Sequence, residues 1–458
     1  MLRKWQHNSI RQALEKYKSG NKHYLTQATP GAGKTVMAAH VSKLLLDENM
    51  IDLIICFSPS VNVANGFTET FSRILKCPFN GKLGSLGTSL TYQAIQYVDE
   101  QFWETVSKYR VLAIFDEIHH CSGETLSEAN AWGEQIILKV QKAATYTLAL
   151  TGTPWRSDNL PISLSSYSDP EGKIICDFQY TLAQAISDKV CRKPKLVLVD
   201  NEQLQYTSPD ERKSYTSIQA LFKEQKISYS SILEDSDALA HILKLSVDKL
   251  HSIRTTNLNA AGLIVASSVV HAKQIQTILN EELKQSSIMV SYHDPNAQSI
   301  IEQFKNGHSP WIISIGMISE GTDIPRLQVC CHLSNIRTEL YFRQVLGRIL
   351  RITDGYNQEA WLYTFAEENL MKFAEEIEQD IPESCLYIKQ PEGKEAEDAH
   401  SLETDNSSAT VSITVKSEEL KWNTSDTSVQ IGSEESIPYR TFTLGHFRER
   451  VIEAFVGI

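Results

Sequence analysis

Candidate strands, most of them short apolar runs, recur through the first part of the chain at 24–28, 52–57, 85–90, 111–115 and 146–150. Runs of this length with no polar face fit strands buried on both sides, as in a parallel sheet. Between them apolar residues fall at helical spacing, as in Thr35–Leu46. Strand and helix in alternation predict an α/β unit over 1–190. The pattern returns at 262–267, 288–292, 311–315, 328–333 and 360–365, predicting a second parallel-sheet unit within 191–390. Lys189–Lys195 is the expected bridge, and Leu196–Val199 a strand just beyond it.

The remainder patterns differently. Residues 391–436 are rich in Glu, Ser, Thr and Asp, as in a solvated linker, although Val411–Val415 alternates like a strand. Residues 437–458 are expected to form a helical tail, because Thr443–Phe455 has amphipathic helical spacing. That helix either docks on the body or binds a partner.

Composition narrows the class. The chain of 458 residues is 41% hydrophobic and 22% charged, as in soluble globular proteins. No run approaches the ~20 apolar residues of a membrane span, and the first residues lack a signal-peptide core. Eight cysteines without a Cys-x-x-Cys pair point to a reducing cytoplasm and no zinc. The net charge of −12 runs against a bulk-basic nucleic-acid binder, but 391–436 carries eleven acidic residues against three lysines. A cleft that grips a backbone through hydroxyls and N–H groups needs no such basicity.

The chemistry starts at Ala28–Thr35, Ala-Thr-Pro-Gly-Ala-Gly-Lys-Thr. This is a phosphate loop between a strand and a helix. Pro30, Gly31, Ala32 and Gly33 are expected to line the nucleotide, Gly31 and Gly33 turning consecutive N–H groups inward as an anion nest; Lys34 reaches the β- and γ-phosphates, and Thr35 serves Mg²⁺. The apolar run Val111–Phe115 ends in Asp116-Glu117-Ile118-His119, placing a metal-binding carboxylate (Asp116) beside one that can orient water (Glu117). Thr151-Gly-Thr153-Pro154 follows a neighbouring strand. Far along the chain, Gln344, Gly347, Arg348 and Arg351 share one helix face, suited to charge on a transferred phosphoryl group.

In this order the residues resemble a superfamily-two DEAD/DEAH-like helicase, closest to the type III restriction enzyme helicase-subunit (Res) and RadD-like families, over residues 1–370. The resemblance implies two tandem RecA-like domains with ATP and Mg²⁺ between them. It implies that Gln6, of Leu2-Arg-Lys-Trp-Gln6, reads the adenine edge with Trp5 nearby. It implies that Ser58, Pro59, Thr91, Ser267 and Thr322 contact nucleic acid, and that Gly321 and Asp323 belong to the nucleotide side of motif V. It makes Thr151 and Thr153 couple the two sites, and His119 bridge to Gln344. Departures are Ile118 for the box alanine, Ala28 for the first loop glycine, and no arginine in His293–Phe304.

The implied activity is ATP hydrolysis coupled to movement along DNA, with RNA open. Two alternatives remain: a motor subunit acting with a partner nuclease, and an inactive nucleotide-switch scaffold. A protein partner at the C-terminal tail stays open.

Overall fold

The computed structural model describes residues 2–117, 140, 142–152, 166–167, 174–207, 212–225, 227–317, 322–379, 386–388 and 441–453. The expected linker at 391–436 and the alternating run Val411–Val415 lie outside these residues. The fold is α/β, built on two mostly parallel sheets that share no strand.

The first sheet holds six strands: β1 (His23–Ala28), β2 (Leu53–Ser58), β3 (Gly87–Thr91), β4 (Val111–Asp116), β5 (Tyr146–Thr151) and β8 (Phe178–Tyr180). Their order is β3-β2-β4-β5-β1-β8, every pair parallel. A short antiparallel pair, β6 (Ser166–Tyr167) and β7 (Ile174–Ile175), stands apart. β4 is buried along its whole length, as its unbroken apolar run requires. Helix α1 (Lys4–Lys18) buries Trp5, Ile10, Ala13 and Tyr17, and helix α2 (Lys34–Asp47) buries Met37, Ala38, Val41 and Leu45.

The second sheet runs β13-β14-β12-β15-β16-β9-β19-β17. Its parallel body is β9 (Lys193–Asn201), β12 (Ala261–Ala266), β13 (Ser287–Ser291), β14 (Trp311–Ile315), β15 (Leu327–Leu333) and β16 (Glu359–Phe365). A side sheet orders β11 (Arg212–Tyr215), β10 (Leu204–Thr207) and β18 (Thr441–Leu444). Every strand expected for the two sheets is present, with ends within about two residues except at β9, which begins three residues before Leu196.

The expected C-terminal helix is a correction. Residues Phe447–Glu453 form strand β19, antiparallel to β9 and flanked on its other side by β17 (Leu386–Ile388). Val451 and Ile452 are both buried, and the His241 ring stacks on Phe447 at 4.2 Å. Arg448 binds Asp200 at 2.7 Å and Arg450 binds Glu375 at 3.0 Å. Pairing with a strand on each side satisfies the backbone groups of this segment and overrides weak helical spacing.

Candidate nucleotide site and nucleic-acid face

In a parallel sheet, the loops that bind ligands lie beyond the C-terminal ends of the strands. The phosphate loop follows β1, Asp116 closes β4 and Thr151 closes β5. β1 lies beside β5 and β5 beside β4, so the three ends are neighbours. Gly31 and Gly33 take φ of 80° and 93°, left-handed values that cost glycine little. Helix α2 opens at Lys34 and Thr35, with Gly33 at its N-cap.

The Lys34 ammonium donates to Glu117 Oε1 at 2.9 Å and to the Ala28 carbonyl at 3.2 Å. The other Glu117 oxygen accepts from the Gly152 N–H at 2.9 Å. Glu117 itself has φ 48°, an uncommon value for a non-glycine residue. Asp116 is buried, and its carbonyl accepts from the Tyr92 hydroxyl at 2.7 Å. The donor set of loop N–H groups, ammonium, hydroxyl and carboxylate fits a nucleoside triphosphate and its divalent metal.

The second sheet delivers the opposite wall. Helix Glu339–Ile349 carries Gln344, Gly347 and Arg348, and Arg351 follows its end. A methyl at Gly347 would stand 2.6 Å from Pro30 Cβ, so this helix meets the loop with no room for a side chain. Arg351 packs its stem on Gly31, its Cγ 3.3 Å from where a Cβ there would be. The Thr322 carbonyl accepts from Arg348 at 3.0 Å and from Arg351 at 2.6 Å, and Asp323 pairs with Arg351 at 3.0 Å. Burial lowers the Arg351 pKa from its ordinary value, with the Asp323 charge opposing.

Two residues outside the expected set build this junction. Arg192 is buried and donates to the carbonyls of Leu327, Ile349 (3.3 Å) and Pro325 (3.0 Å) and to the Thr353 hydroxyl (3.2 Å). Its own N–H donates to Leu350 O at 2.7 Å, beside the isolated bridge between Cys191 and Arg351. Desolvation lowers its pKa to about 10. Nothing in the Lys/Arg-rich bridge set Arg192 apart from solvated neighbours. Arg3 is the other, donating to the carbonyls of Ala32 at 2.6 Å and Gly31 at 3.4 Å.

Gln6 lies against the phosphate loop. Its amide nitrogen donates to Gly33 O at 3.0 Å and its oxygen accepts from Arg3 N at 2.8 Å, so both ends face the loop and the helix start. Trp5 stacks on Tyr180 at 5.0 Å and on Phe178 at 6.3 Å, in the core.

The residues expected on nucleic acid divide. Pro59 follows β2 half-buried, and Thr91 ends β3 and caps the next turn, accepting from Ala94 N at 3.2 Å. Ser267 follows β12, its hydroxyl 2.8 Å from His271 Nδ1. Ser58 and Thr322 are corrections, since both side chains are buried. Ser58 is the last of five consecutive buried residues in β2, and Thr322 turns its carbonyl to the arginines. His119, Thr153 and Gly321 lie outside the described residues.

Comparisons with known proteins agree with this layout. The model of the type III restriction enzyme res subunit matches residues 1–156, and that of the helicase conserved C-terminal domain matches 242–353. An uncharacterised Mycobacterium leprae protein is 30% identical over 392 residues, covering 82% of this chain and 64% of its own length. The chain therefore spans somewhat under two thirds of that relative. The DNA 3'-5' translocase XPB2 of Sulfurisphaera tokodaii is 23% identical over 359 residues, 71% of this chain and 74% of that protein. In fold, a fragment assigned as the HsdR subunit of a type I restriction enzyme from Vibrio vulnificus superposes with a TM-score of 0.56 at 16% identity, covering 81% of this chain and 65% of that one. Two RecA-like units and a shared nucleotide cleft define a superfamily-two helicase. Within that superfamily the matched models make the chain similar to the Res and HsdR type. Helicase domains of this kind bind ATP and use a divalent metal.

Proposed function

We propose that the chain hydrolyses ATP with Mg²⁺ and couples hydrolysis to movement along DNA. The observation that carries this reading is the approach of Gly347 and Arg351 to Pro30 and Gly31, which joins the two sheets at the phosphate loop. Lys34 neutralises phosphate charge, and Glu117, released from Lys34, orients the attacking water. Arg348 and Arg351, tethered through Thr322 O, stabilise charge on the transferred phosphoryl group from the other side. Bound Mg²⁺ would be held by Thr35 and Asp116 and would neutralise triphosphate charge. Loss of the bridging charge on hydrolysis loosens the hold between the two units, so grip on a strand alternates. The Thr91 and Ser267 hydroxyls, at strand ends, would donate to backbone phosphates, with Pro59 shaping the turn after β2.

DNA is preferred because the Sulfurisphaera tokodaii relative bears the name of a DNA translocase and the first family model is a restriction subunit. The test is ATP turnover against concentration of single-stranded DNA, duplex DNA and RNA. Stimulation by DNA supports the reading, stimulation by RNA alone moves the substrate to RNA, and a rate indifferent to all three removes the motor. The restriction-subunit model also supports a second reading, a motor that moves while a partner nuclease cuts. Copurification of a nuclease with the native chain would support it.

A further inference from the structure

Two neighbouring residues of the bridge are fastened to opposite sides of the cleft. The Cys191 N–H donates to Ala185 O at 3.1 Å, in helix Leu182–Ser187 after β8, and its thiol lies 3.8 Å from Pro30 O of the phosphate loop. The next N–H, that of Arg192, donates to Leu350 O at 2.7 Å, at the end of the helix that carries Gln344 and Arg348. Any turn of one unit on the other therefore falls on the peptide between Cys191 and Arg192.

The Arg192 guanidinium stands on the second-unit side of that peptide. A guanidinium has five N–H groups. Here Nε donates to Gln358 Oε1 at 3.3 Å, Nη1 to Leu327 O and to Ile349 O at 3.3 Å, and Nη2 to Pro325 O at 3.0 Å and Thr353 Oγ1 at 3.2 Å. All these acceptors are neutral, and the side chain is buried. Burying a cation among neutral groups costs desolvation, where an apolar side chain of similar volume would fill the space at less cost. What the guanidinium adds is a simultaneous hold on three backbone segments. Pro325 and Leu327 follow Thr322 and Asp323. Ile349 and Leu350 end the helix, where the dipole favours a cation. Thr353 and Gln358 lie in the turn before β16.

Arg351 sits among these fixed points. Its backbone bridges to Cys191, and its guanidinium is aimed by Thr322 O at 2.6 Å and Asp323 at 3.0 Å. We propose that Arg192 is a positioning residue that locks the Arg351 segment to the bridge between the units, so that closure of the cleft brings Arg351 to one fixed place at the phosphate loop. The proposal rests on the role given to Arg351 under Proposed function, and Arg192 acts only through it.

The experiment measures kcat and KM for ATP with saturating DNA, and Kd for ATP by titration calorimetry. It uses the full chain as wild type, Arg192→Met, Arg351→Ala and the double variant, with thermal unfolding as the folding control. In Arg192→Met, kcat falls about 10- to 100-fold, the scale of a reacting group displaced by about an ångström. KM and Kd change less than about threefold, since Lys34 and the phosphate loop keep their places. In the Arg351→Ala background the same substitution costs less than about threefold, because no arginine remains to be misplaced. Arg192→Lys recovers part of the rate, since an ammonium keeps the charge but lacks the fork. A near-normal kcat in Arg192→Met overturns the proposal. So does an equal fall in both backgrounds, which is the mark of general packing. If Arg192→Met does not fold, Arg192→Lys and Thr353→Val in the same two backgrounds decide: a fall confined to the chain that retains Arg351 supports the proposal, and an equal fall or none overturns it. Near-normal turnover in Arg351→Ala removes the role of Arg351 and this inference with it, whereas a loss there with additive Arg192 effects removes the inference alone.

Discussion

Glu117 follows β4 in a left-handed backbone conformation, pairing with Lys34 on one side and the Gly152 N–H on the other. Such a backbone persists where the surroundings hold it in place, and it aims this carboxylate at the lysine. Glu117→Gln keeps the shape and one acceptor but removes the charge that polarises water. Nucleotide should stay bound while turnover falls about 10²-fold or more. Lys34→Ala, by contrast, should weaken nucleotide binding itself. Equilibrium binding and turnover, measured separately on both variants, check the assignment; a wild-type rate in Glu117→Gln would remove its role. Asp116 and Lys34 were legible in the sequence because the phosphate loop and the strand-ending carboxylates have fixed local spacing. Arg3 and Arg192 were not, because their partners are carbonyls brought close only by the fold. Ser58 was misjudged for the same reason: position after a strand does not reveal which way the last side chain turns.

The helix Glu339–Ile349 makes the most exacting contact between elements. Gly347→Ala should favour the helix by up to about 1 kcal/mol, since alanine is the better helix former. Yet the added methyl would meet Pro30 Cβ at 2.6 Å and push the helix from the phosphate loop. The expected outcome is unchanged or slightly raised Tm with turnover reduced at least tenfold, checked by thermal unfolding and ATPase assay on one preparation. Strand β15 offers a pH test. His332 is fully buried against the rings of Tyr341 and Phe342, and desolvation lowers its pKa to about 4. His271 is likewise lowered to about 4 by burial. Both bind a proton more readily unfolded, where a histidine titrates near 6.5, so stability is full above that pH and falls as pH drops from about 6.5 toward about 4. His332→Phe should flatten this fall in a Tm-against-pH series; an unchanged slope would show that His332 does not carry it. The central strands were readable because β4 and β14 are apolar runs buried throughout. Strand β19 was not, because Phe447–Glu453 mixes charge with apolar residues and its conformation is set by β9 and β17 on either side.

At the scale of the whole molecule, the described residues bring the two sheets together at the phosphate loop, where Gly347 faces Pro30 and Arg351 faces Gly31. The Thr322 carbonyl gathers Arg348 and Arg351, Arg192 ties the bridge between the sheets to the end of the same helix, and the Arg351 stem rests on Gly31. Under the proposed function, such a junction would link closure of the cleft to the state of the nucleotide, which is what a motor requires. Two domains and the cleft between them were legible from the repeated strand pattern and the distance between motifs. The central claim is that Arg351 completes the nucleotide site from the second sheet. It is tested most directly by ATP turnover of wild type and Arg351→Ala, each with and without saturating DNA, with DNA binding measured in parallel. The account predicts stimulated turnover in wild type, a loss of about 10³-fold or more in Arg351→Ala, and DNA affinity changed little. Near-normal stimulated turnover in Arg351→Ala would contradict it.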